Sequence, residues 1–192
     1  MRNAEVLAAM RAMPRHLFVP LSFRSAAYDD PPLPIGYAQT ISQPAIVVVM
    51  TELLEPHRDH CVLEIGTGSG YQAAVLSRLA KKVYTIEIIE ALANSARERL
   101  QSLGYRNVEV RAGDGYNGWP EAAPFDRILL TSAPPQVPRA LIEQPKPGGK
   151  LVAPMGDSPG NQTLVILDKD AAGRTKQRSV IPVQFVPMVA GK

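Results

Sequence analysis

The sequence predicts an α/β fold in which a mostly parallel central sheet is covered by helices on both faces. From residue 61 onward, short apolar runs alternate with longer amphipathic stretches, an order typical of repeated strand and helix units. A glycine-rich turn follows the first of these runs. The chain has 192 residues, of which 45% are hydrophobic, and this is enough to bury one core. We therefore expect a single domain over residues 1–192.

The first part of the chain, residues 1–58, is expected to hold helices and a long loop. Residues 4–13 carry apolar side chains at helical spacing, and Pro14 ends the pattern because proline cannot continue a helix. Residues 28–44 have no helical period, since prolines and a glycine recur through them, so they predict a long ordered loop. Residues 45–54 predict a buried helix that begins after Pro44.

The central part, residues 59–168, is expected to form the sheet and its covering helices. Apolar runs predict strands at residues 61–65, 82–86, 108–111, 125–130, 150–153 and 164–167. Amphipathic stretches predict helices at residues 71–79, 91–103 and 139–143, the second of them ended by Gly104. Residues 169–192 form a C-terminal strand region, in which weak alternation over residues 179–189 predicts edge pairing.

Charge and composition argue against several classes of function. The net charge is +3, from 21 basic and 18 acidic residues spread along the chain, which is too mild to indicate a nucleic-acid partner. No segment approaches the roughly 18 apolar residues that a bilayer span needs, so no membrane partner is expected. The single cysteine, Cys61, indicates a reducing compartment, and we expect a cytoplasmic location. Because His16, His57 and His60 show no metal-ligand spacing with a carboxylate or with Cys61, no metal is expected.

The glycine-rich turn, in the sequence VLEIGTGSGY, is the strongest local signal. Gly66, Gly68 and Gly70, with Thr67 and Ser69 between them, stand between a predicted buried strand and a predicted helix. Glycine permits a positive φ and lets a ligand approach bare backbone, while the helix that follows offers unpaired N–H groups. The spacing is GxGxG rather than the GxGxxG of dinucleotide-binding proteins, and no GxxxxGK[ST] phosphate loop occurs. The turn therefore predicts a nucleotide-like cofactor that lacks a pyrophosphate.

Two acidic residues follow the next two predicted strands. Glu87 ends the strand YTIE, where a carboxylate accepts hydrogen bonds from the ribose hydroxyls of a bound nucleotide. Asp114 and Gly115, in AGDG, follow the third strand, where a carboxylate accepts from the exocyclic amine of adenine. Parallel strands bring their carboxyl ends to one edge of the sheet, where open α/β folds bind ligands. The alternative for the glycines alone is a tight connection that binds nothing.

Further motifs, in order along nearly the whole chain, resemble the protein-L-isoaspartate O-methyltransferases. They are RHLFVP (15–20), PLPIG (32–36), QTISQP (39–44), VLEIGTGSGYQAAVL (62–76), GDG (113–115), GWPE (118–121), APFD (123–126) and FVPM (185–188). Many methyltransferases share the glycine loop, whereas PLPIG together with QTISQP is distinctive for this family. The chain departs from the family pattern after PLPIG, where Tyr37 and Ala38 stand in place of His-Gly.

The resemblance implies a Rossmann-like methyltransferase fold and S-adenosylmethionine as cofactor, with S-adenosylhomocysteine as product. It implies that the substrate is the free α-carboxylate of an L-isoaspartyl residue in a damaged protein or peptide, whose methyl ester converts through a succinimide toward normal aspartate. Ser42 matches the family's active-site serine. Other residues are expected at the two binding sites: Gln39, Thr40, Ile41 and Gln162 beside the cofactor, and Ile35, Val186 and Pro187 beside the substrate peptide. We further expect a monomer.

Two other functions stay open at this point. One is methyl transfer to a different acceptor, either RNA or a small carboxylic acid, although no basic patch with exposed aromatic residues favours RNA. The other is a cofactor-binding protein that has lost catalysis, although Ser42, Glu87 and Asp114 are all present. From residue physics alone, Ser42 fits the beginning of a helix as well as it fits a catalytic role.

Overall fold

The computed structural model describes residues 3–158 and 160–191 and contains two sheets. Its strands are β1 (Leu33–Gly36), β2 (Gln39–Ile41), β3 (Cys61–Ile65), β4 (Lys82–Glu87), β5 (Val108–Ala112), β6 (Phe125–Leu130), β7 (Pro145–Met155), β8 (Gln162–Lys169) and β9 (Thr175–Val183). Its helices are α1 (Ala4–Ala12), α2 (Pro44–Leu54), α3 (Tyr71–Ser77), α4 (Glu90–Ser102) and α5 (Arg139–Glu143), with short 3-10 turns at Arg15–Phe18, Leu21–Ala26 and Gly115–Asn117.

The main sheet has seven strands in the order β5-β4-β3-β6-β7-β8-β9. Neighbouring strands from β5 through β7 are parallel, whereas β8 and β9 are antiparallel to their neighbours. The predicted fold class, a mostly parallel sheet covered by helices, is confirmed. The strand order reverses at β3, because β4 lies on one side of it and β6 on the other. Such a reversal opens a crevice at the carboxyl ends of the strands, and the glycine loop lies there.

Successive side chains of the central strands pack into two separate apolar clusters, one on each face of the sheet. In β3, Val62 belongs to one cluster and Leu63 to the other, and in β6 the same alternation separates Leu129 from Leu130. Helices α1, α2 and α3 contribute to the first cluster, and α5 contributes Leu141 to the second. The clusters hold the carboxyl ends of β3 to β6 rigidly side by side, which fixes the edge on which the predicted ligand residues lie.

The structure differs from the sequence prediction in two segments. Residues 28–44 were expected to lack regular structure, yet β1 and β2 form a short antiparallel hairpin within them. The turn of this hairpin holds Tyr37 and Ala38 at φ values of 53° and 55°, a left-handed conformation that glycine adopts more readily. In the C-terminal region, β9 begins earlier than expected and ends at Val183, and beyond it Pro187 makes an isolated bridge with Ala133.

The described helices are short, and none of them is long and apolar enough to cross a membrane. Helix α1 begins at Ala4 because the Asn3 side chain accepts hydrogen bonds from the backbone N–H groups of Glu5 and Val6. Helix α2 begins with Pro44 at its first position, where the missing N–H costs no helical hydrogen bond. The division of the chain into residues 1–58, 59–168 and 169–192 stays a prediction.

Candidate active site

A cavity of about 310 Å³ lies at the carboxyl edge of the sheet and is called the edge cavity below. Loops that follow β3, β4, β5 and β6 all contribute to its wall, together with β2 and the segment after β9. Eight of the residues predicted from the sequence line it: Gln39, Thr40, Gly66, Gly68, Glu87, Gly115, Val186 and Pro187. The structure therefore gathers residues from five separate parts of the chain at the edge where a ligand was expected.

The glycine loop is held in place by Glu87. Gly66 and Gly68 have φ values of 99° and 52°, so their backbone is left-handed, and a Cβ on Gly66 would collide with the Thr131 hydroxyl. The Gly68 N–H donates to Glu87 Oε2 at 2.8 Å, and the Ile89 N–H donates to Oε1 at 3.0 Å. Each carboxylate oxygen can accept more than one hydrogen bond, so Glu87 keeps accepting capacity for a ligand hydroxyl. The residues present fit a ribose held against a glycine loop.

Gly70, by contrast, does not line the edge cavity. Its φ of 86° lets the chain turn into α3, and a side chain there would press on Leu100 of α4, 3.2 Å away. Its direct contact with a cofactor stays a prediction, while its position explains why only glycine fits between the loop and α4. Thr67 and Ser69 line a smaller pocket of about 40 Å³, which lies between the glycine loop and β2 and also involves Ile41 and Ser42.

A fully buried acid, Glu64, is the last but one residue of β3 and lies two residues before Gly66. Its Oε2 is 2.5 Å from the Thr85 hydroxyl, which lies 2.7 Å from the Thr67 hydroxyl, so a chain of polar groups connects the acid with the loop. Burial raises the pKa of Glu64 from 4.5 to about 8; the Thr85 hydrogen bond opposes this rise and the charge of Glu87 adds to it. Glu64 is therefore neutral at pH 7. A neutral Glu64 can donate a hydrogen bond to the Thr85 hydroxyl, which leaves only its acceptor oxygen Oε1 without a partner.

Asp114 lies beside the edge cavity rather than in its wall. Its Oδ1 accepts from the Tyr116 N–H at 2.8 Å, and its Oδ2 accepts from the Gly191 N–H at 2.9 Å. The C-terminal segment thus bonds to one oxygen of the carboxylate that was expected to accept from the adenine amine, and the contact with adenine stays a prediction. The neighbouring Gly115 does line the cavity, and a Cβ on it would collide with Ile65.

A second cavity of about 790 Å³, called the groove below, contains Ser42. It runs between the start of α2 and the segment after β9, and it shares Thr40, Thr131, Val186 and Pro187 with the edge cavity. Ser42 lines the groove but not the edge cavity, and its hydroxyl makes no hydrogen bond to any residue in the described part of the chain. Ser42 also lines the small pocket of about 40 Å³ together with the residues of the glycine loop, so it lies beside that loop.

Ile35 and Gln162 occupy positions that the sequence did not specify. The Ile35 side chain covers the glycine loop, since its Cδ1 lies 3.3 Å from the place where a Cβ on Gly68 would stand. Gln162 lines neither cavity: its Nε2 donates to the Phe185 carbonyl at 3.1 Å and its Oε1 accepts from the Phe185 N–H at 2.6 Å. Its geometry anchors the segment that carries Val186 and Pro187, and its contact with a cofactor stays a prediction.

Thr131 and Ser132 line the edge cavity but were missed by the sequence analysis. They directly follow β6, the strand that pairs with β3. The Thr131 hydroxyl lies 2.5 Å from the Gly66 carbonyl and 3.0 Å from the Ile65 carbonyl, so it bonds to the backbone where the loop leaves β3. The signal was present, because β6 was predicted to end at residue 130 and the next residues had to lie at the same edge.

The structure corrects one step in the argument about metals. His57, Asp59 and His60 do lie together, with His57 Nδ1 beside Asp59 Oδ1 at 2.5 Å and His60 Nε2 at 3.8 Å from the same oxygen. The arrangement suits a metal poorly, because His60 Nδ1 accepts the His57 backbone N–H at 3.0 Å. A neutral His60 therefore carries its proton on Nε2, the atom that would have to bind the ion. The expectation that the protein binds no metal stays a prediction.

The reversed strand order, the glycine loop and the carboxylate at the end of β4 define an α/β protein that binds a nucleotide-like cofactor. A family model described as protein-L-isoaspartate(D-aspartate) O-methyltransferase matches residues 1–192. A protein-L-isoaspartate O-methyltransferase of Synechococcus sp. is 58% identical over 194 residues, which cover 98% of this chain and 79% of the relative. A Halorhodospira halophila protein of the same name is 54% identical and covers 100% of this chain and 86% of the relative. The chain belongs to the protein-L-isoaspartate(D-aspartate) O-methyltransferase family.

Solved structures agree with this assignment. A protein-L-isoaspartate O-methyltransferase is similar with a TM-score of 0.87 and 28% identity, covering 99% of this chain and 62% of that chain. This chain thus spans less than two thirds of that protein's length. A Plasmodium falciparum protein, described as a beta-aspartate methyltransferase in complex with S-adenosyl-L-homocysteine, is similar with a TM-score of 0.83 and 20% identity, covering 98% of this chain and 92% of that chain. The second likeness supports the fold alone.

Proposed function

We propose that this protein transfers a methyl group from S-adenosylmethionine to the free α-carboxylate of L-isoaspartyl residues in damaged proteins and peptides. The methyl ester then converts through a succinimide toward normal aspartate without further help from the enzyme. One observation carries the proposal: the edge cavity, with the glycine loop and Glu87, and the groove, with Ser42, share a common wall. A cofactor in the first and a peptide in the second would meet there.

Few protein groups are needed for this reaction. An α-carboxylate has an ordinary pKa of roughly 3.3 to 3.7 and is ionised at neutral pH, so no general base is required. The absence of any histidine from the groove wall therefore poses no difficulty. S-adenosylmethionine, when bound, supplies a methyl group attached to a sulfonium sulfur. After the methyl group is transferred, this sulfur is left as a neutral thioether. The task of the protein is to hold the reacting atoms in line and dry, which in well-oriented reactions contributes about 7 to 11 kcal/mol.

Each part of that task has a candidate in the site. Glu87, already bonded to the Gly68 N–H, has accepting capacity for the ribose hydroxyls. The Ser42 hydroxyl has no hydrogen-bond partner in the described chain. It donates a hydrogen bond to the acceptor carboxylate and so orients that carboxylate. The wall residues Thr40, Thr131, Val186 and Pro187 exclude water between the two cavities. Ser42 acts as a donor and forms no covalent bond.

The finer expectations on partners and location stay proposals. The expected lack of a nucleic-acid partner is supported by the mild charge of +3 and by the neutral groove wall, which suits a peptide better than a polyanion. That the protein is a monomer and binds neither a metal nor a membrane stays a prediction. The single cysteine supports a cytoplasmic location.

The proposal is tested with labelled S-adenosylmethionine and two synthetic peptides that differ only in an isoaspartyl or an aspartyl residue. Mild base after the reaction releases methyl esters as methanol, and label is expected from the isoaspartyl peptide alone. Equal labelling of the two peptides, or none, would refute the substrate assignment.

Substitution of the serine separates binding from transfer. Ser42→Ala should lower kcat by about 100-fold, because the acceptor carboxylate is no longer held in line with the methyl group, and should leave the Kd for S-adenosylhomocysteine within twofold. Ser77→Ala is the matched control, since Ser77 bonds the Ala74 carbonyl within α3, away from both cavities. A parallel loss of turnover and cofactor affinity in Ser42→Ala would mean that Ser42 is structural.

A further inference from the structure

A buried arginine, Arg15, is bonded directly to the backbone of Ser42. Its side chain is 1% exposed, and its Nη2 donates to the Ser42 carbonyl at 2.8 Å while its Nε donates to the Ala27 carbonyl at 2.7 Å. Its guanidinium carbon also lies 4.8 Å from the centre of the Tyr71 ring, and Tyr71 is the first residue of the helix that follows the glycine loop. Arg15 therefore connects Ser42 with α3, the helix that follows the glycine loop.

The positive charge of Arg15 has no ion-pair partner among residues 3–158 and 160–191. Its Nη1 is buried without a hydrogen bond to any described residue. A buried cation is normally paired, because removing its hydration without a counter-ion is unfavourable. Burial lowers the pKa of Arg15 and the charge of nearby Asp30 opposes this, but Asp30 makes no direct ion pair with the guanidinium, and its oxygens accept from the Gln43 side chain at 3.3 Å and the Ala45 N–H at 3.4 Å. The charge of Arg15 behind Ser42 is thus only partly compensated, by an acid that it does not contact.

The groove that must receive an anion has no charged side chain in its wall. All fifteen lining residues are apolar or neutral, including Thr40, Ser42, Gln43 and Thr131. A carboxylate that enters this groove loses hydration and meets no cation at the surface. The helix α2, which begins two residues after Ser42, presents its positive end to the same region. The buried charge of Arg15 has the same sign and lies behind the residue that would touch the carboxylate.

We propose that Arg15 is a positioning residue for methyl transfer, which fixes the Ser42 backbone and whose unpaired charge favours an anionic acceptor in the groove. The proposal rests on the proposed function, since it assumes that the methyl acceptor is a carboxylate held by Ser42. The acceptor carboxylate and the Arg15 guanidinium attract each other across the Ser42 peptide group and make no direct contact. Selection for a carboxylate over a neutral group therefore comes from behind the wall of the groove.

Two substitutions in the full chain separate geometry from charge. Arg15→Gln, which keeps a donor and removes the charge, should raise the KM for an isoaspartyl peptide about 10-fold or more and leave the Kd for S-adenosylhomocysteine within twofold. Arg15→Lys, which keeps the charge, should recover at least half of that loss on a logarithmic scale. The matched control is Arg127→Gln, because Arg127 also bonds backbone carbonyls, those of Glu55 and Asp126 at 3.1 and 2.8 Å, but lines neither cavity.

A change in KM no larger in Arg15→Gln than in Arg127→Gln, or no recovery in Arg15→Lys, would overturn the proposal. A second measurement needs no variant and decides the matter if Arg15→Gln does not fold. The unaltered protein should bind an isoaspartyl peptide at least about 10-fold more tightly than its α-carboxamide analogue, measured as competitive inhibition of methyl transfer. Equal inhibition by the two peptides overturns the role of the charge. Failure of the proposed function is seen separately, as absence of label in the isoaspartyl peptide with the unaltered protein.

Discussion

Replacement of Glu64 by glutamine tests whether this buried acid is neutral in the folded protein. Its pKa is raised from 4.5 to about 8, chiefly by burial, so the folded protein keeps a proton that the unfolded chain releases above pH 4.5. Stability from this group is fully present below about pH 4.5, falls as the pH rises, and is lost by about pH 8. Glutamine resembles the protonated acid in shape and can donate to Thr85 in its place, so Glu64→Gln should remove this loss.

The magnitude follows from the pKa of Glu64. Each unit of difference between the folded and unfolded states changes the free energy of unfolding by about 1.4 kcal/mol. The rise from 4.5 to about 8 therefore corresponds to a loss of about 5 kcal/mol across that pH range, of which roughly 3 kcal/mol is lost by pH 7. Solvent does not screen the charge of Glu64, because its side chain is fully buried. We expect Glu64→Gln to exceed the unaltered protein in stability at pH 8, by a margin that shrinks toward pH 5.

The assay is urea denaturation of the two proteins at half-unit steps from pH 5 to pH 8.5. Glu109→Gln is the control, since Glu109 is half exposed and pairs with Lys82 at 2.9 Å on the surface. Its difference from the unaltered protein should stay within about 1 kcal/mol at every pH. If the difference between Glu64→Gln and the unaltered protein does not change with pH, Glu64 is not a neutral buried acid and the reasoning is refuted.

Three further outcomes are expected. Gly68→Ala should raise the Kd for S-adenosylhomocysteine at least about 10-fold in calorimetry, because the φ of 52° at this position disfavours alanine and a Cβ would press on Ile35. Gly104→Ala is the control, since φ there is 84° and no atom lies within 4 Å of the added Cβ. An equal rise of the Kd in Gly104→Ala would contradict the prediction. Ala38→Gly should raise the free energy of unfolding by about 0.5 to 1 kcal/mol, because Ala38 has a φ of 55°; a lower urea midpoint would count against it. Gln162→Leu should raise the peptide KM and the cofactor Kd together, because it releases the segment that lines both cavities; unchanged values would show that Phe185 is anchored otherwise.

The part of the site built by the parallel strands was the most predictable from the sequence. The boundaries of β3 and β6 were predicted without error, and Glu87 was correctly placed at the end of β4. Because strand ends share one edge, Gly66, Gly68, Glu87 and Gly115 had to meet, and they line one cavity. The same argument, extended to β6, finds Thr131 and Ser132.

Other features depended on contacts that no sequence pattern announces. The hairpin of β1 and β2 was missed because its strands have only four and three residues, contain Pro34, and turn through Tyr37 and Ala38 instead of glycine. The bond between Asp114 and Gly191 joins residues 77 positions apart, and local spacing gives no indication of it. Likewise, Arg15 belongs to a motif that was recognised in the sequence, but its burial behind Ser42 follows only from the packing of four separate segments.

The segment after β9 has a consequence for folding. Val186 and Pro187 line both cavities, and they are held by backbone bonds between Ala133 and the residues Val186 and Met188, at 2.9 and 2.8 Å. These contacts join positions more than fifty residues apart, and contacts of such sequence separation form late because long loops must close first. Neither cavity can be complete before that step. Recovery of cofactor binding during refolding should therefore lag behind the recovery of helical circular dichroism, so that the appearance of activity reports the last stage of assembly rather than the formation of the sheet.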